Sequence, residues 1–464
     1  MNYTIEQLEL QFEIVNQKLT YLQIPSNLDG FTNTNTKTEL ATITRKSFTF
    51  EGDFAESDEH RRCPHCGAKM HINNSRNISF KHLPFGSSTT SISFDRLQYL
   101  CPICKATKMQ DVSFKHPSHF ITNELSIYIN DLLASHKYTV KEIAVITGVN
   151  KNIVKSIDLT RLKGRYTIDG QKLKKPEETA KYLGIDEFKL HDGHKYATHI
   201  VNMETGHILW IAEGKKKQVV YDFIDHVGLK WMDKVEAIAC DMNSDFQEAF
   251  EEKCEHIQPV FDHFHIVKNF NDKVVSEVRK DEQRRLFEEG KMEEAKAFKK
   301  TRFILMSSRA TLQKKDQDAI FAKPIKKGSP LFKIPTITRN YGHEEKYNQL
   351  LKENQLLFTM DIVKEKLDLA YQSTDEIAMG EIIEEIIDIC YATKNKHFKW
   401  FGKLLESHWC GIVAHASIRI STGKIEGLNN KIKTIRRQGY GYPDDEYFFL
   451  KLIDMSHQKI RSFH

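Results

Sequence analysis

The residues of this chain that could do chemistry are acids at the edges of apolar runs and two pairs of cysteines. Asp186 and Glu187 stand near the start of the apolar run Ile185–Leu190. A carboxylate in or beside a sheet is costly unless it is exposed, paired or bound to a metal. Asp186 is therefore read as the first of three metal-holding acids. Glu187, next to it, faces the opposite side of a strand and is not expected to be a ligand. Two further aspartates end short apolar runs: Asp241 after Val235–Cys240, and Asp262 after Pro259–Phe261, with His265 just beyond. Open α/β sheets place their chemistry at such carboxyl ends. Far downstream, Glu426, Asn430, Lys433 and Arg437 fall at i, i+4, i+7 and i+11 of a helix starting near Lys424, so they share one face. A glutamate followed on that face by amide and cationic groups suits a metal ligand beside a phosphate chain. An ordinary amphipathic helix, surface or DNA-facing, has the same pattern.

The cysteines form two knuckles, Cys63-Pro-His-Cys66 and Cys101-Pro-Ile-Cys104. Each CxxC turn aims two thiolates at one tetrahedral ion, and two such turns complete a four-sulfur structural zinc site with no open position. Residues 67–100 between them exceed the common spacing of about 15–20, and a β-hairpin over NISFKHLPFGSSTTSISF would fill the gap. Free thiols or a redox pair are the other reading.

Several elements must position these groups. Ile185–Leu190, Tyr196–Met203 and His207–Ala212 read as a three-strand meander, with turn residues between runs rich in Ile, Val, Tyr and Thr. A helix over Gln218–Leu229, a buried parallel strand ending at Asp241, a helix capped by Asn243 or Ser244, and a strand at Pro259–Phe261 follow. Upstream, residues 121–160 read as three helices. Thr139-Val-Lys-Glu142 is a capping box, Gly148 a turn and Asn150 a cap, the pattern of a helix-turn-helix. Its third helix, Lys151–Asp158, presents Lys151, Asn152, Lys155 and Ser156, types that contact phosphates and base edges. A plain three-helix packing unit fits the same spacing. Residues 161–180 are basic and polar without an apolar period, as in a linker. Thr4–Leu19 has helical spacing, and the polar stretch after it reads as loop. Val267–Leu312 and His343–Cys390 are helical and charged, separated by a break at Pro324, Pro330 and Pro335.

The bulk properties narrow the class. A chain of 464 residues exceeds one compact core. It has no run of about twenty apolar residues for a membrane span, and its start carries acids where a secretory signal carries bases. A cytosolic location follows as the expectation, so the eight cysteines are read as thiols or metal ligands and not disulfides. A net charge of +5 permits a nucleic-acid partner where the basic residues cluster.

The order of paired zinc knuckles, helix-turn-helix, GIDEF, CDMNSDF, DHFHIVKN and KIEGLNNKIKTIRRQGYGY resembles the DDE transposases of the ISL3 family of bacterial insertion sequences, from about Cys63 onward. The resemblance implies a multidomain α/β protein: an N-terminal segment (1–60), a zinc-binding module (61–115), a helix-turn-helix DNA-binding domain (121–160) and a linker (161–180). An RNase H-like core would follow, its first part at 181–270 and its C-terminal part, with the catalytic Glu helix, at 416–464. An all-helical insertion (271–415) would interrupt that core. Asp186, Asp241 and Glu426 become the catalytic acids and the ligands of Mg2+ or Mn2+, and Asp262 and His265 an auxiliary Asp-x-x-His element. Asp241 is preferred to Asp245 and Asp262 as second acid because it directly ends a buried strand. The Ser-Thr-Gly turn before Glu426 departs from the family's usual Ser-Asn.

The implied reaction is metal-dependent phosphoryl transfer on DNA, with two ions stabilising the attacking and leaving oxygens and carboxylates as the ligands hard cations prefer. Water cleaves at the transposon end, and the freed 3′-hydroxyl attacks target DNA. Cys240, beside Asp241, is expected to be packing. The partners would be double-stranded DNA, as terminal inverted repeats and as target, and further copies of the chain in a homodimer or higher oligomer. Lys151, Asn152, Lys155, Asn430, Lys433, Arg436 and Arg437 are the expected DNA contacts. The place of action would be the bacterial cytoplasm, at the nucleoid when DNA-bound. A DNA-binding regulator with an inactive core, or a nuclease that cuts without joining ends, are the rival readings.

Overall fold

The computed structural model describes residues 28, 30–42, 45–55, 58, 61–242, 245–320, 342–420, 423–439 and 442–457. The expected helix at Thr4–Leu19, the caps Asn243 and Ser244, the turn residues Ser421 and Thr422 and the proline-marked break lie outside these residues. The chain divides into two compact units, the first within 1–174 and 436–455, the second within 175–435 and from 456 onward.

The first unit opens with a sheet of β1 (Phe31–Thr42), β2 (Arg45–Phe54), β3 (His71–Phe85), β4 (Ser88–Leu100) and β5 (Thr107–Met109). Its order is β1-β2-β4-β3, with β5 on β4. The hairpin expected between the knuckles is β3–β4, paired antiparallel. The polar run NTNTKTEL, expected as loop, is instead most of β1. Threonine-rich residues suit a pleated edge, and β1 needs no apolar alternation because β2 supplies the buried side chains, Phe48 and Phe50. Phe80, Phe94 and Phe114 build the core beneath, with Phe54 stacked 5.1 Å from Phe94.

Three helices follow: α1 (Asn123–Ala134), α2 (Val140–Thr147) and α3 (Lys151–Tyr166). The capping box is made in both directions, Glu142 N–H to Thr139 Oγ1 at 3.2 Å and Thr139 N–H to Glu142 Oε2 at 2.7 Å. Gly148, at φ +70°, makes the turn, and Asn150 accepts the Asn152 N–H. Leu125, Ile129, Ile143 and Val154 are fully buried between the helices.

The third helix does not stop near Asp158. It runs on to Tyr166 and into a small hairpin of β6 (Thr167–Ile168) and β7 (Lys172–Leu173), where a linker is expected. The cause is a partner far along the chain, the helix Asp445–Ser456, whose Tyr447 and Leu450 pack on Leu162. Residues 436–455 therefore belong to the first unit, and the expected core segment 416–464 is divided between the two.

A buried ionic network joins these two helices. Asp158, with no exposed surface, accepts from Lys451 Nζ and Tyr447 OH, each at 2.7 Å, and from Arg161 Nη2 at 2.8 Å. Asp454 accepts from Arg161 Nη2 and Tyr166 OH, each at 2.8 Å, and pairs with His136 Nε2 at 2.9 Å. Burial pushes both carboxyls up, but Lys451 at Asp158, and His136 and Arg161 at Asp454, pull them net below the usual carboxylate range. A lowered folded-state pKa means the stabilisation is present above the unfolded value of about 3.9 and drains away as pH falls below it. Lys451→Met, which removes one of the two cations on Asp158 and leaves Arg161, is expected to cost about 1.5–3 kcal/mol, the scale of one hydrogen bond to a charged group. Pairing it with Asp158→Asn should restore part of that loss, as read from hydrogen exchange in α3. Near-equal single and double variants would count against the network.

The second unit holds the sheet β10-β9-β8-β11-β12, built from β8 (Tyr182–His191), β9 (Lys195–Asn202), β10 (Ile208–Glu213), β11 (Ala237–Ala239) and β12 (Gln258–Val260). The first three form the expected antiparallel meander, and β11 runs parallel to both β8 and β12. Helices α4 (Lys217–Val227) and α5 (Asp245–Lys253) connect them and bury Phe223, Phe246 and Phe250.

Alternation along the strands gives the sheet two different faces. Leu183, Ile185, Ile200, Ile238 and Cys240 enter one large core shared with α4, α5 and the helices that follow as far as residue 413. Cys240 is buried there, as packing. Ala237, Ala239, Val260 and Met203 enter a smaller core with Ile420 and Ile425. Among the described residues from 261 to 439 there is no strand, and the helices share the sheet's core instead of forming a separate body. No helix among the described residues is long and apolar enough to cross a membrane.

Candidate active site and metal centre

Three neighbouring strands run level at one end of the second unit's sheet. Ala239 of β11 pairs with Gly184 of β8 on one side and with Val260 of β12 on the other, the last matched positions of each ladder. Two residues further along the chain stand Asp186, Asp241 and Asp262. By the two-residue alternation they belong with Gly184, Ala239 and Val260, on the face of the smaller core. That face is covered by α7 (Gly423–Gln438), whose Ile425 enters the smaller core, while Asp262 caps α6 (His263–Phe270) by accepting the Phe264 N–H at 3.3 Å.

Helix α7 docks closely because position 184 is glycine. A Cβ there would lie 2.6 Å from Ile425 Cδ1 and 2.3 Å from Met203 Sδ. Lys424 Nζ ties its first turn to the carbonyls of Met203 and Glu204 at 2.7 and 3.0 Å. One turn further, Asn429 Nδ2 donates to Asp186 Oδ2 at 2.6 Å. The other oxygen, Oδ1, accepts the Glu187 N–H at 2.8 Å, so the carboxylate plane is fixed from both sides.

The amide of Asn429 is itself oriented. His199, directly opposite Asp186 in the β8–β9 ladder, lies 2.8 Å from Asn429 Oδ1 through Nε2. With Asn429 Nδ2 turned to the carboxylate, His199 donates through Nε2–H. It is completely buried, burial holds its pKa below the usual range, and Nδ1 has no partner. His199 is thus a neutral donor that sets the amide.

Asp241 is part exposed, with His265 Nδ1 3.9 Å from its Oδ2. Glu426 is exposed in the first turn of α7, one turn before Asn429. Glu187, half-buried, is pushed up by burial and further by the charges of Asp186 and Asp241, against the pull of Lys215. The strand ends therefore carry a negative potential. Among the described residues only four cysteines bring three or more ligand atoms all within 4.8 Å of one another; Asp186, Asp241 and Glu426 do not draw that close. Carboxylates without a cation repel.

The cysteine centre is compact. Cys63 Sγ lies 3.4 Å from Cys104 Sγ, Cys66 Sγ 3.4 Å from Cys101 Sγ, and Cys66 Sγ 3.7 Å from Cys104 Sγ. A tetrahedral zinc with sulfur ligands at about 2.3 Å requires sulfurs about 3.8 Å apart. Both knuckles turn through a left-handed residue after the second cysteine, Gly67 at φ +71° and Lys105 at φ +59°. Backbone amides of Cys104 and Ile103 bring the Cys101 thiol down to about 6, while Cys66 is pushed up to about 12, its neighbouring sulfurs outweighing the Ala68 amide. Four thiols at this spacing cannot all ionise unless a cation joins them, so the donor set fits structural zinc.

The expected DNA contacts are distributed unevenly. Lys151 and Asn152 are exposed at the start of α3. Lys155 is held by Asp444 at 2.9 Å and lies over the Tyr447 ring. Asn430, Lys433 and Arg437 are exposed on α7 and Arg436 is half-buried. The sequence reading missed Asn429 and His199. Asn430 at i+4 was taken from the Glu426 face, although i+3 lies on it equally. His199 faces Asp186 through a one-residue register shift between Lys189 and His191, so counting across the Asp192–Lys195 turn leads to Ile200 instead.

Residues 183–452 match the transposase family of ISL3 type, and residues 59–104 match the zinc-finger of transposase IS204/IS1001/IS1096/IS1165. The chain is 25% identical over 398 residues to the transposase for insertion sequence element IS1001 of Bordetella parapertussis, across 84% of this chain and 87% of that one. It is also similar to a chain of the Drosophila P element transposase strand transfer complex, at 11% identity and a TM-score of 0.33, over 72% of this chain and 92% of the other.

Proposed function

This chain belongs to the ISL3-type transposase family, and from that premise we propose that it binds the terminal inverted repeats of its element and cleaves and joins DNA at Asp186, Asp241 and Glu426. The observation that carries the reading is the 2.6 Å bond from Asn429 to Asp186, which docks the helix bearing Glu426 on the strand bearing Asp186. We read the antiparallel β8–β10 meander, with β11 and β12 parallel beside it, as an RNase H-like core. The helices within residues 271–415 are then its insertion.

Magnesium or manganese held by Asp186, Asp241 and Glu426 would supply charge stabilisation for the attacking and leaving oxygens of an in-line displacement. The protein's own residues set the stage for it. Asn429 and the Glu187 N–H hold the Asp186 carboxylate in one plane, and His199 holds Asn429. His265 faces Asp241 and is placed to orient it or to contact a phosphate oxygen. Lys433 and Arg437, exposed further along α7, suit the DNA backbone, as do Lys151 and Asn152 at the start of α3.

The direct test combines purified protein, terminal inverted-repeat DNA, a target duplex and magnesium. Cleavage at the end and joining of the 3′ end to target are the expected products. Binding without nicking would replace the reading with a DNA-binding regulator, and cutting without joining with a nuclease. Asn429→Ala is expected to slow cleavage about 10–100-fold, as loss of a group that orients a metal ligand does, with end binding unchanged. Asn429→Asp should be worse, since it sets a second carboxylate against Asp186. Cleavage at the wild-type rate in both variants would remove Asn429 from the site.

A further inference from the structure

Helix α6 leads from the candidate site into a cleft that none of the roles above uses. Phe264, half exposed, and Lys268 lie one turn apart on α6. The helix then passes into a π-helical turn, Asn271–Val275. Such turns insert an extra residue and recur at functional sites. Here the turn sets Asn271 and Asp272 on the cleft wall, and Arg302 and Met306 of the helix Arg302–Met306 close the other side of a space of about 250 Å³.

The lining combines an aromatic face and a thioether with two cations, one carboxylate and an amide. The amide-bearing Asn271 and the carboxylate-bearing Asp272 stand side by side on that wall. The helix that lines the cleft also carries His265, next to Phe264, and His265 Nδ1 lies 3.9 Å from Asp241 Oδ2.

We propose that this cleft receives an unstacked nucleotide of the DNA beside the cleavage point, a role that rests on the DNA-end reading above. A base could lie against Phe264, its polar edge toward Asn271 and Asp272, its phosphate toward Lys268 and Arg302. Aromatic faces with cations are how proteins hold single bases. A base inside a duplex cannot offer its face, so it must leave the stack. The nucleotide comes either from the transposon end or from the flanking DNA.

The test uses the full chain and duplexes that span the end and its flank, each with a single mismatch at one junction position. A base that is already unpaired no longer has to be pulled out. Wild type is therefore expected to bind one mismatched duplex about tenfold tighter than the matched one, the scale of one stacked base. The position of that mismatch, on the transposon side or the flank side, identifies the source. 2-Aminopurine at that position should brighten severalfold on binding. Phe264→Ala and Arg302→Ala, both surface changes, are expected to lose the tenfold preference while still binding the matched end. No mismatch preference in wild type, or an undiminished one in both variants, overturns the subsite. Asp186→Asn protein should keep the preference. If that variant still cuts, the assignment of the acids fails while the subsite stands.

Discussion

Asp186→Asn is expected to bind end DNA as wild type does and to cleave it about a thousandfold more slowly or worse. The magnitude follows from the several kcal/mol of charge stabilisation that a divalent ion supplies to such a transition state, at tenfold in rate per 1.4 kcal/mol. An amide is a poor ligand for a hard cation. The substitution also tests the local geometry. Asp186 accepts on both oxygens, from the Glu187 N–H and from Asn429. Asparagine can accept on only one, so one donor is left facing a donor, a cost of about 1–3 kcal/mol. Glu426→Gln should be gentler on the fold, because the side chain is exposed and loses only a helix-end interaction of about 0.3–1 kcal/mol. Its loss of cleavage should match that of Asp186→Asn. The second acid is settled by the same assay: Asp241→Asn should be as inactive, whereas Asp262→Asn should retain cleavage, its carboxylate serving as the cap of α6. Full cleavage by Asp241→Asn with none by Asp262→Asn would reassign that role. Cleavage within tenfold of wild type in Asp186→Asn would end the reading.

Stripping zinc is the second large effect expected. The core around the knuckles is small: Met70 and Tyr99 are fully buried beside Cys63 and Cys101, with little else. That much apolar area cannot hold four thiolates together. Metal binding is then folding free energy, about 10–16 kcal/mol apparent at neutral pH for structural zinc in finger peptides. One zinc per chain should be measured in the purified protein and lost in Cys63→Ser/Cys101→Ser. End binding should go with it, while hydrogen exchange in β8–β12 remains protected because that sheet has its own core. Chelated protein that still binds ends at wild-type affinity would show that the knuckles do not serve recognition.

What could be read from the sequence was what obeys local rules. The knuckles, the Thr139–Glu142 capping box, the Gly148 turn and the β8–β10 meander are each encoded within a few residues. The two apolar runs before Asp241 and Asp262 also declared themselves as strands. Their equal level with Asp186 did not, because it depends on the register of parallel neighbours, which no local pattern records. The strand β1 was hidden by its polarity, since an exposed edge needs hydrogen-bonding partners more than apolar side chains. The extension of α3 to Tyr166 was hidden by distance. Arg161 and Arg165 look like linker charges until Asp454 is found beside them. Asn429 was passed over for its neighbour because a helix face is about two residues wide, and only the docked position of α7 decides which of them reaches the strand.

The union of α3 with the helix Asp445–Ser456 also bears on how the chain is made. Tyr447 and Asp158, which meet at 2.7 Å, are 289 residues apart. At ribosomal speeds of about 5–20 residues per second, on the order of 15–60 s separates their synthesis. Throughout that interval the nascent first unit carries a solvated Asp158 and an uncovered Leu162, while residues 175–435 of the second unit are translated. The first unit, begun before the second, is therefore completed only after residues 175–435 have been made. A nonsense codon anywhere between residues 436 and 445 would leave the translated Asp186, Asp241 and Glu426 in place and damage the other end of the protein.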